Sequence, residues 1–169
     1  MNAGADARQT ALGLDFGRVI MCAPEGVQGG DTRFIGSPEV EALEIPPPAG
    51  AFDTIRELVQ RFESRVWIVS TAGPRIQRLS MEWLEYHRFF EQTELTHEAV
   101  RFCRHRNDKR GHAAELRLTH FIDDRYDVLD HLSGVVGNRY LFGVQHQIPR
   151  WAIHVRDWAA VRAALLAPP

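Results

Sequence analysis

Residues Ala11 to Ile20 read Ala-Leu-Gly-Leu-Asp-Phe-Gly-Arg-Val-Ile, an apolar run that closes on a single acid before a glycine turn. The same punctuation recurs: Val-Trp-Ile-Val closes on Ser70-Thr71, and Phe121-Ile122 closes on Asp123-Asp124. Runs this short and this apolar read as buried strands, and the segments between them have helical period. Strands alternating with helices predict a parallel sheet covered on both faces, an α/β architecture. In open sheets of that kind ligands bind beyond the carboxyl ends of the strands, where the strand order reverses. Asp15 is therefore the first place to look for chemistry, although taken alone it reads equally well as an acid capping a turn.

The rest of the chain supplies the alternation. Phe52, Ile55, Leu58, Val59 and Phe62 recur at helical spacing and predict a helix over about Ala51 to Glu63. Arg65 to Ser70 is a strand, and Gly73-Pro74 opens a helix with Ile76, Leu79, Trp83, Leu84 and His87 on one face. Glu98 to Arg104 is a further strand. Asp108 to Leu118 reads as a helix with Asp108 as a candidate N-cap. Thr119 to Ile122 is a strand, Val128, Leu129 and Leu132 mark a helix, and Arg139 to Phe142 and Ala152 to Val155 are strands. A helix over Asp157 to Leu166 follows. Between Met21 and Gly50 lies a loop-rich insert with Gly29-Gly30 and the triplet Pro46 to Pro48. Its apolar pieces at Val27, Phe34-Ile35 and Val40 to Ile45 suggest a small hairpin or flap, too short for a separate lid domain. The predicted organisation is a flexible arm over 1–10 and one domain over 11–166, with the flap at about 21–50.

Composition narrows the function. The net charge of −2 gives no bulk attraction to nucleic acid or membrane. No apolar stretch is long enough to span a bilayer, and the first ten residues lack a signal-peptide core, which predicts a cytoplasmic protein. Cys22 and Cys103 make no disulfide framework and read as buried thiols. The twenty basic residues are all arginine except Lys109. A lone lysine marks a candidate site for a compact ammonium charge.

In a parallel sheet the strand-end residues share one edge. Asp15, Asp123 and Asp124 would repel one another there unless a cation sat among them. Hard oxygen ligands in that pattern suit Mg²⁺ with substrate phosphate oxygens. Ser70 and Lys109 would hold the remaining phosphate oxygens, and a carboxylate facing the phosphorus could act as nucleophile.

This constellation resembles the haloacid dehalogenase (HAD) superfamily over nearly the whole chain. The residues that carry the resemblance are Leu-Asp15-Phe-Gly17-Arg18-Val-Ile, the strand ending in Ser70, Lys109, and the strand ending in Asp123-Asp124. It implies a Rossmannoid three-layer α/β/α sandwich with a mostly parallel sheet. It also implies Asp15 as nucleophile and Mg²⁺ ligand and the Gly17 carbonyl as second ligand. Asp124 would be the third, with Asp123 beside it. Ser70, helped by the Thr71 amide, would bind the phosphoryl group, and Lys109 would neutralise it.

One departure stands out. Family phosphatases carry a second Asp two residues after the nucleophile, which protonates the leaving group and later activates water; here it is Gly17. Such help is typically worth about 10²–10⁴ in rate. The expected function is therefore a Mg²⁺-dependent phosphohydrolase of altered or reduced activity, with little or no cap, acting on a phosphorylated small molecule or macromolecule. Its rival is an inactive module that binds a phosphorylated ligand or partner. A flap acid, Glu25 or Asp31, or a partner protein could replace the missing acid. Arg18 could reach a substrate phosphate, and the basic run Arg101 to Arg110 could guide an anion toward Lys109 or simply be a solvated loop. Cys103, His105 and His112 match no structural zinc spacing. His120 and the tryptophans Trp67, Trp83, Trp151 and Trp158 read as packing.

Overall fold

The computed structural model describes residues 9–22, 34–36 and 38–167. The chain lays down β1 (Leu12–Leu14), a short helix α1 (Glu39–Leu43), the longer α2 (Ala51–Arg61), β2 (Val66–Thr71), α3 (Pro74–Tyr86) and α4 (Phe89–Thr93). Then come β3 (Val100–Cys103), α5 (Lys109–Glu115), β4 (His120–Asp123), α6 (Tyr126–His131), β5 (Asn138–Phe142), β6 (Ile153–Val155) and α7 (Trp158–Leu166). Among the described residues six strands form one sheet in the order β3-β2-β1-β4-β5-β6. Every pairing in it is parallel, so the sheet is wholly rather than mostly parallel.

That order positions the site. From β1 the chain steps outward through β2 to β3, then returns to the other side of β1 and steps outward again through β4, β5 and β6. The reversal lies between β1 and β4, whose register pairs Leu14 with Ile122. Asp15 follows directly, its amide donating to the Ile122 carbonyl at 2.9 Å.

The sheet is buried on both faces, as its near-continuous apolar strands require. Leu12, Leu14, Ile68 and Ile122 pack into a large core with Phe52, Ile55 and Leu58 of α2, Leu79 and Trp83 of α3 and Trp158 of α7. Val69, Phe121 and Leu141 point the other way, against Ala113 of α5 and Leu129 of α6. Helix α2 starts after Gly50, whose φ of 73° is adopted by glycine without the cost a Cβ would add. Pro74 opens α3 at the position where a missing N–H costs nothing.

Two expectations need correction. Val40 to Ile45 is not part of a hairpin: the stretch coils into α1, and residues 34–36 are helical as well. The reason is the spacing of what it buries: Ala42 and Ile45, three apart, turn onto the core while Val40 stays 69% exposed. α3 holds this part of the insert in place. Trp83 Nε1 donates to the Ile45 carbonyl at 2.8 Å, His87 Nε2 lies 2.8 Å from the Leu43 carbonyl, and Arg75 donates to the Ile35 carbonyl at 2.9 Å. Val27, Gly29, Gly30, Glu25 and Asp31 lie outside the described residues. Asp108, in turn, does not cap α5 with its side chain; its carboxylate accepts the His105 N–H at 3.0 Å and closes the 3₁₀ turn Arg106–Asp108.

Candidate functional site

Beyond β1 the chain turns sharply. The Phe16 carbonyl accepts the amides of Val19, Ile20 and Met21, and Gly17 pairs with Met21 as an isolated bridge. Arg18 takes a left-handed conformation in this turn, with φ 60°, which a non-glycine residue adopts only at a cost of about 1 kcal/mol or more. Its guanidinium swings back to Asp124 at 3.4 Å. The 3₁₀ turn Arg106–Asp108 feeds directly into α5, so Lys109 stands at the helix start and its side chain runs inward, over the Phe121 ring at 5.6 Å.

There Lys109, only 2% exposed, donates to Asp15 Oδ1 and to Asp123 Oδ2, each at 2.7 Å. Charge-assisted bonds of this length hold the three side chains as one unit. Burial opposes the lysine's charge, but Asp15 and Asp123 outweigh it and hold the ammonium protonated well above the ordinary lysine range. Burial and the neighbouring Asp15 carboxylate push Asp123 up to about 7, against the pull of Lys109. Asp123 also accepts the Arg125 N–H on Oδ1 at 3.0 Å, so both its oxygens are engaged by protein donors. Asp124 is half-buried and faces the cavity.

Carboxylate oxygens of Asp15, Asp123 and Asp124 lie within 4.8 Å of one another, a spacing and a hard donor set that fit a divalent cation. With Asp123 occupied, the donors that face open space are Asp15 and Asp124. Gly17 lines the same space.

That space is a cavity of about 510 Å³. All the strand-end residues singled out in the sequence line it except Asp123, which lies beneath: Asp15, Gly17, Arg18, Ser70, Thr71, Lys109 and Asp124 are brought together. Thr71 turns its hydroxyl toward Cys103 Sγ, 3.4 Å away. Burial pushes the Cys103 thiol upward, so it stays protonated.

Several lining residues were not named individually in the sequence: Arg106 and Arg125 bring further positive charge, and Ser80 of α3 lines the wall with a buried hydroxyl that has no hydrogen-bond partner among the described residues. Arg106 sits inside the basic run, a signal that pointed to its neighbourhood; Arg125 follows the acid pair directly, and Ser80 carried no sequence signal. Beside Asp15 and Asp124, the described lining holds no other carboxylate and no histidine.

Other sequence candidates fall elsewhere. Cys103, His105 and His112 do not converge as a metal set among the described residues. His120 is half-buried between the rings of Phe62 and Tyr140, at the amino ends of the strands, whereas Asp15 lies beyond their carboxyl ends. Trp83 and Trp158 are core residues with their indole N–H groups bonded to carbonyls, and Trp151 carries the Arg139 guanidinium at 4.2 Å from its ring. Among the described residues no helix is long and apolar enough to cross a membrane.

An all-parallel sheet whose order reverses beside an acid-bearing first strand, with helices on both faces, defines a Rossmann-like α/β fold. Among solved structures, a haloacid dehalogenase-like hydrolase from Burkholderia xenovorans LB400 shares this fold with a TM-score of 0.51 at 14% sequence identity. The match covers 82% of this chain and 66% of that one, so the chain spans less than two thirds of that protein's length. No family model matches the chain, and no curated protein matches it in sequence.

Proposed function

We propose that the chain is a Mg²⁺-dependent phosphohydrolase that works through an aspartyl-phosphate at Asp15 and turns over slowly because Gly17 supplies no acid. The observation that carries this reading is Lys109, buried and bonded to both Asp15 and Asp123 at 2.7 Å, with Asp15 opening onto a cation-rich cavity. Burying three charges together is costly, and well-packed apolar residues serve stability as well or better. Such an arrangement is therefore better explained by chemistry than by folding.

Asp15, Asp124 and the Gly17 carbonyl would hold the metal ion, which when bound offsets negative charge on the phosphoryl oxygens. Lys109 holds one Asp15 oxygen, which fixes the carboxylate and leaves its other oxygen to face the substrate. Ser70 and Arg18 would hold the phosphoryl group in line. Asp15 oxygen then forms a bond to phosphorus as the ester P–O bond breaks, and the leaving oxygen takes its proton from solvent. Attack of water on the same phosphorus breaks the Asp15–phosphate bond, releases inorganic phosphate and restores the carboxylate. Both steps lack general acid–base help from the described lining, so esters with good leaving groups are the best substrates.

One observation favours the rival reading, a module that binds phosphate without turnover: beyond Asp15 and Asp124, both assigned to the metal, the described lining holds no carboxylate and no histidine to take Gly17's missing role. Phosphate release from an aryl phosphate and a panel of phosphorylated metabolites, with Mg²⁺ or with EDTA, separates the two. The hydrolase predicts EDTA-sensitive release that disappears in Asp15→Asn. Absence of release from every ester, with Mg²⁺ and phosphate still binding by calorimetry, would replace the hydrolase with the binding module.

A further inference from the structure

A second cavity of about 450 Å³ adjoins the first, and Thr71, Arg106 and Val128 form walls of both. Its remaining lining comes from the turn after β3, with Arg104, His105 and Asn107, and from Asp127 and His131 of α6. Asp127 is the one carboxylate in the described lining, and it is already matched: Arg125 reaches its two oxygens through Nε at 3.2 Å and Nη2 at 3.4 Å. His131 Nδ1 lies 3.2 Å from the Asp127 carbonyl, which leaves its Nε2 edge for a ligand. Arg104 and Arg106 thus give this space a net positive charge. Guanidinium forks suit planar or tetrahedral oxyanions better than a point charge does.

From this geometry we propose that the second cavity is an anion subsite, and that the substrate is a small phosphomonoester bearing a second phosphate. One phosphate would lie against Asp15, Ser70 and Lys109 in the first cavity, and the other against Arg104 and Arg106 in the second, with Arg106 at the junction. The two cavities have the size of small-molecule sites rather than of a groove following a polymer. The inference rests on the proposed phosphate site at Asp15 but not on turnover there.

Glucose 6-phosphate and glucose 1,6-bisphosphate serve as the matched probes, in two arms with Mg²⁺ present. In the kinetic arm the wild type prefers the bisphosphate by about tenfold or more in kcat/KM, carried by KM, because an added anion that is held equally in ground and transition states changes binding alone. Arg104→Ala and Arg106→Ala each bring that preference toward one, and Arg106→Lys restores part of it. In the binding arm, calorimetry on Asp15→Asn shows the same preference without turnover. A ratio near one in the wild type, or a ratio untouched by both arginine substitutions, overturns the subsite. So does stronger competition by a 5′-phosphorylated oligonucleotide than by the bisphosphate, which would point to a polymer instead. Should neither ester be hydrolysed while Asp15→Asn still favours the bisphosphate, the hydrolase reading falls and the subsite stands. If the monophosphate is hydrolysed with the same efficiency as the bisphosphate, the reverse holds.

Discussion

Gly17 is the residue on which turnover depends. A Cβ built there meets nothing within 4 Å among the described residues, and the backbone is outside the left-handed region, so the backbone accepts a residue with a Cβ. Gly17→Asp is expected to raise turnover of alkyl phosphates about 10²-fold, and of aryl phosphates much less, because only the poor leaving group needs a proton. Steady-state rates on the two ester classes check it; equal gains would mean that the new carboxylate acts on something other than the leaving oxygen. Lys109 is the counterpart in stability. Lys109→Ala removes the cation from between Asp15 and Asp123 and should cost about 3 kcal/mol or more in urea unfolding, since it leaves buried carboxylates facing one another. Lys109 was legible in the sequence because it is the only lysine and stands one helix before the acid pair. Arg106 was legible only as one member of the basic run and Arg125 not at all, because arginine is this chain's general-purpose cation and nothing local separates one that lines a cavity from one that is only solvated.

Among the elements, β1 is the most tightly constrained. It is the central strand of the reversal, and a Cβ at Gly13 would come 2.5 Å from the Phe121 ring and 2.7 Å from Leu118. Gly13→Ala is expected to destabilise the protein by about 1–3 kcal/mol, the usual cost of overpacking a filled core. It should also lower activity, because Asp15 lies two residues further on. Urea midpoints and phosphate release measured on the same preparation test both effects; a fully stable variant would show that Phe121 can move aside at little cost. Helices α2 and α3 were legible from their apolar period over eleven and thirteen residues. α1 and α4, five residues each, are too short to display a period, and they exist because of what they pack against. α1 owes its place to Trp83 of α3 and to His87 just after it, residues some forty positions away.

At the scale of the whole molecule, the amino-terminal end of the sheet, opposite the site, is expected to respond to pH. His120 opens β4 there, half-buried between Phe62 at 5.1 Å and Tyr140 at 6.1 Å between ring centroids. Burial, with a smaller contribution from Arg61, holds its imidazole below the ordinary histidine range. In the unfolded chain His120 protonates near pH 6.5, while in the fold it stays neutral to lower pH. Below that point the unfolded state binds more protons, so this histidine's contribution to stability is full above about pH 7 and declines as pH falls through 6.5 toward the folded value. Urea midpoints at pH 7.5 and 5.5 should fall further for the wild type than for His120→Gln. Equal losses in the two proteins would assign the acid sensitivity to other groups.

The amino-acid order by itself determined the alternation of strands and helices, the buried character of the central strands, the polar residues at their ends and the absence of an acid at Gly17. These are properties of a residue and its near neighbours, written in period and composition. Only the tertiary structure decided that the insert coils against α3, that Asp123 is locked by Lys109 and the Arg125 amide while Asp124 faces the cavity, and that Arg106 stands between two cavities. Each of those depends on which strands lie side by side. That order is settled by packing between segments far apart in the chain, so local pattern holds no record of it.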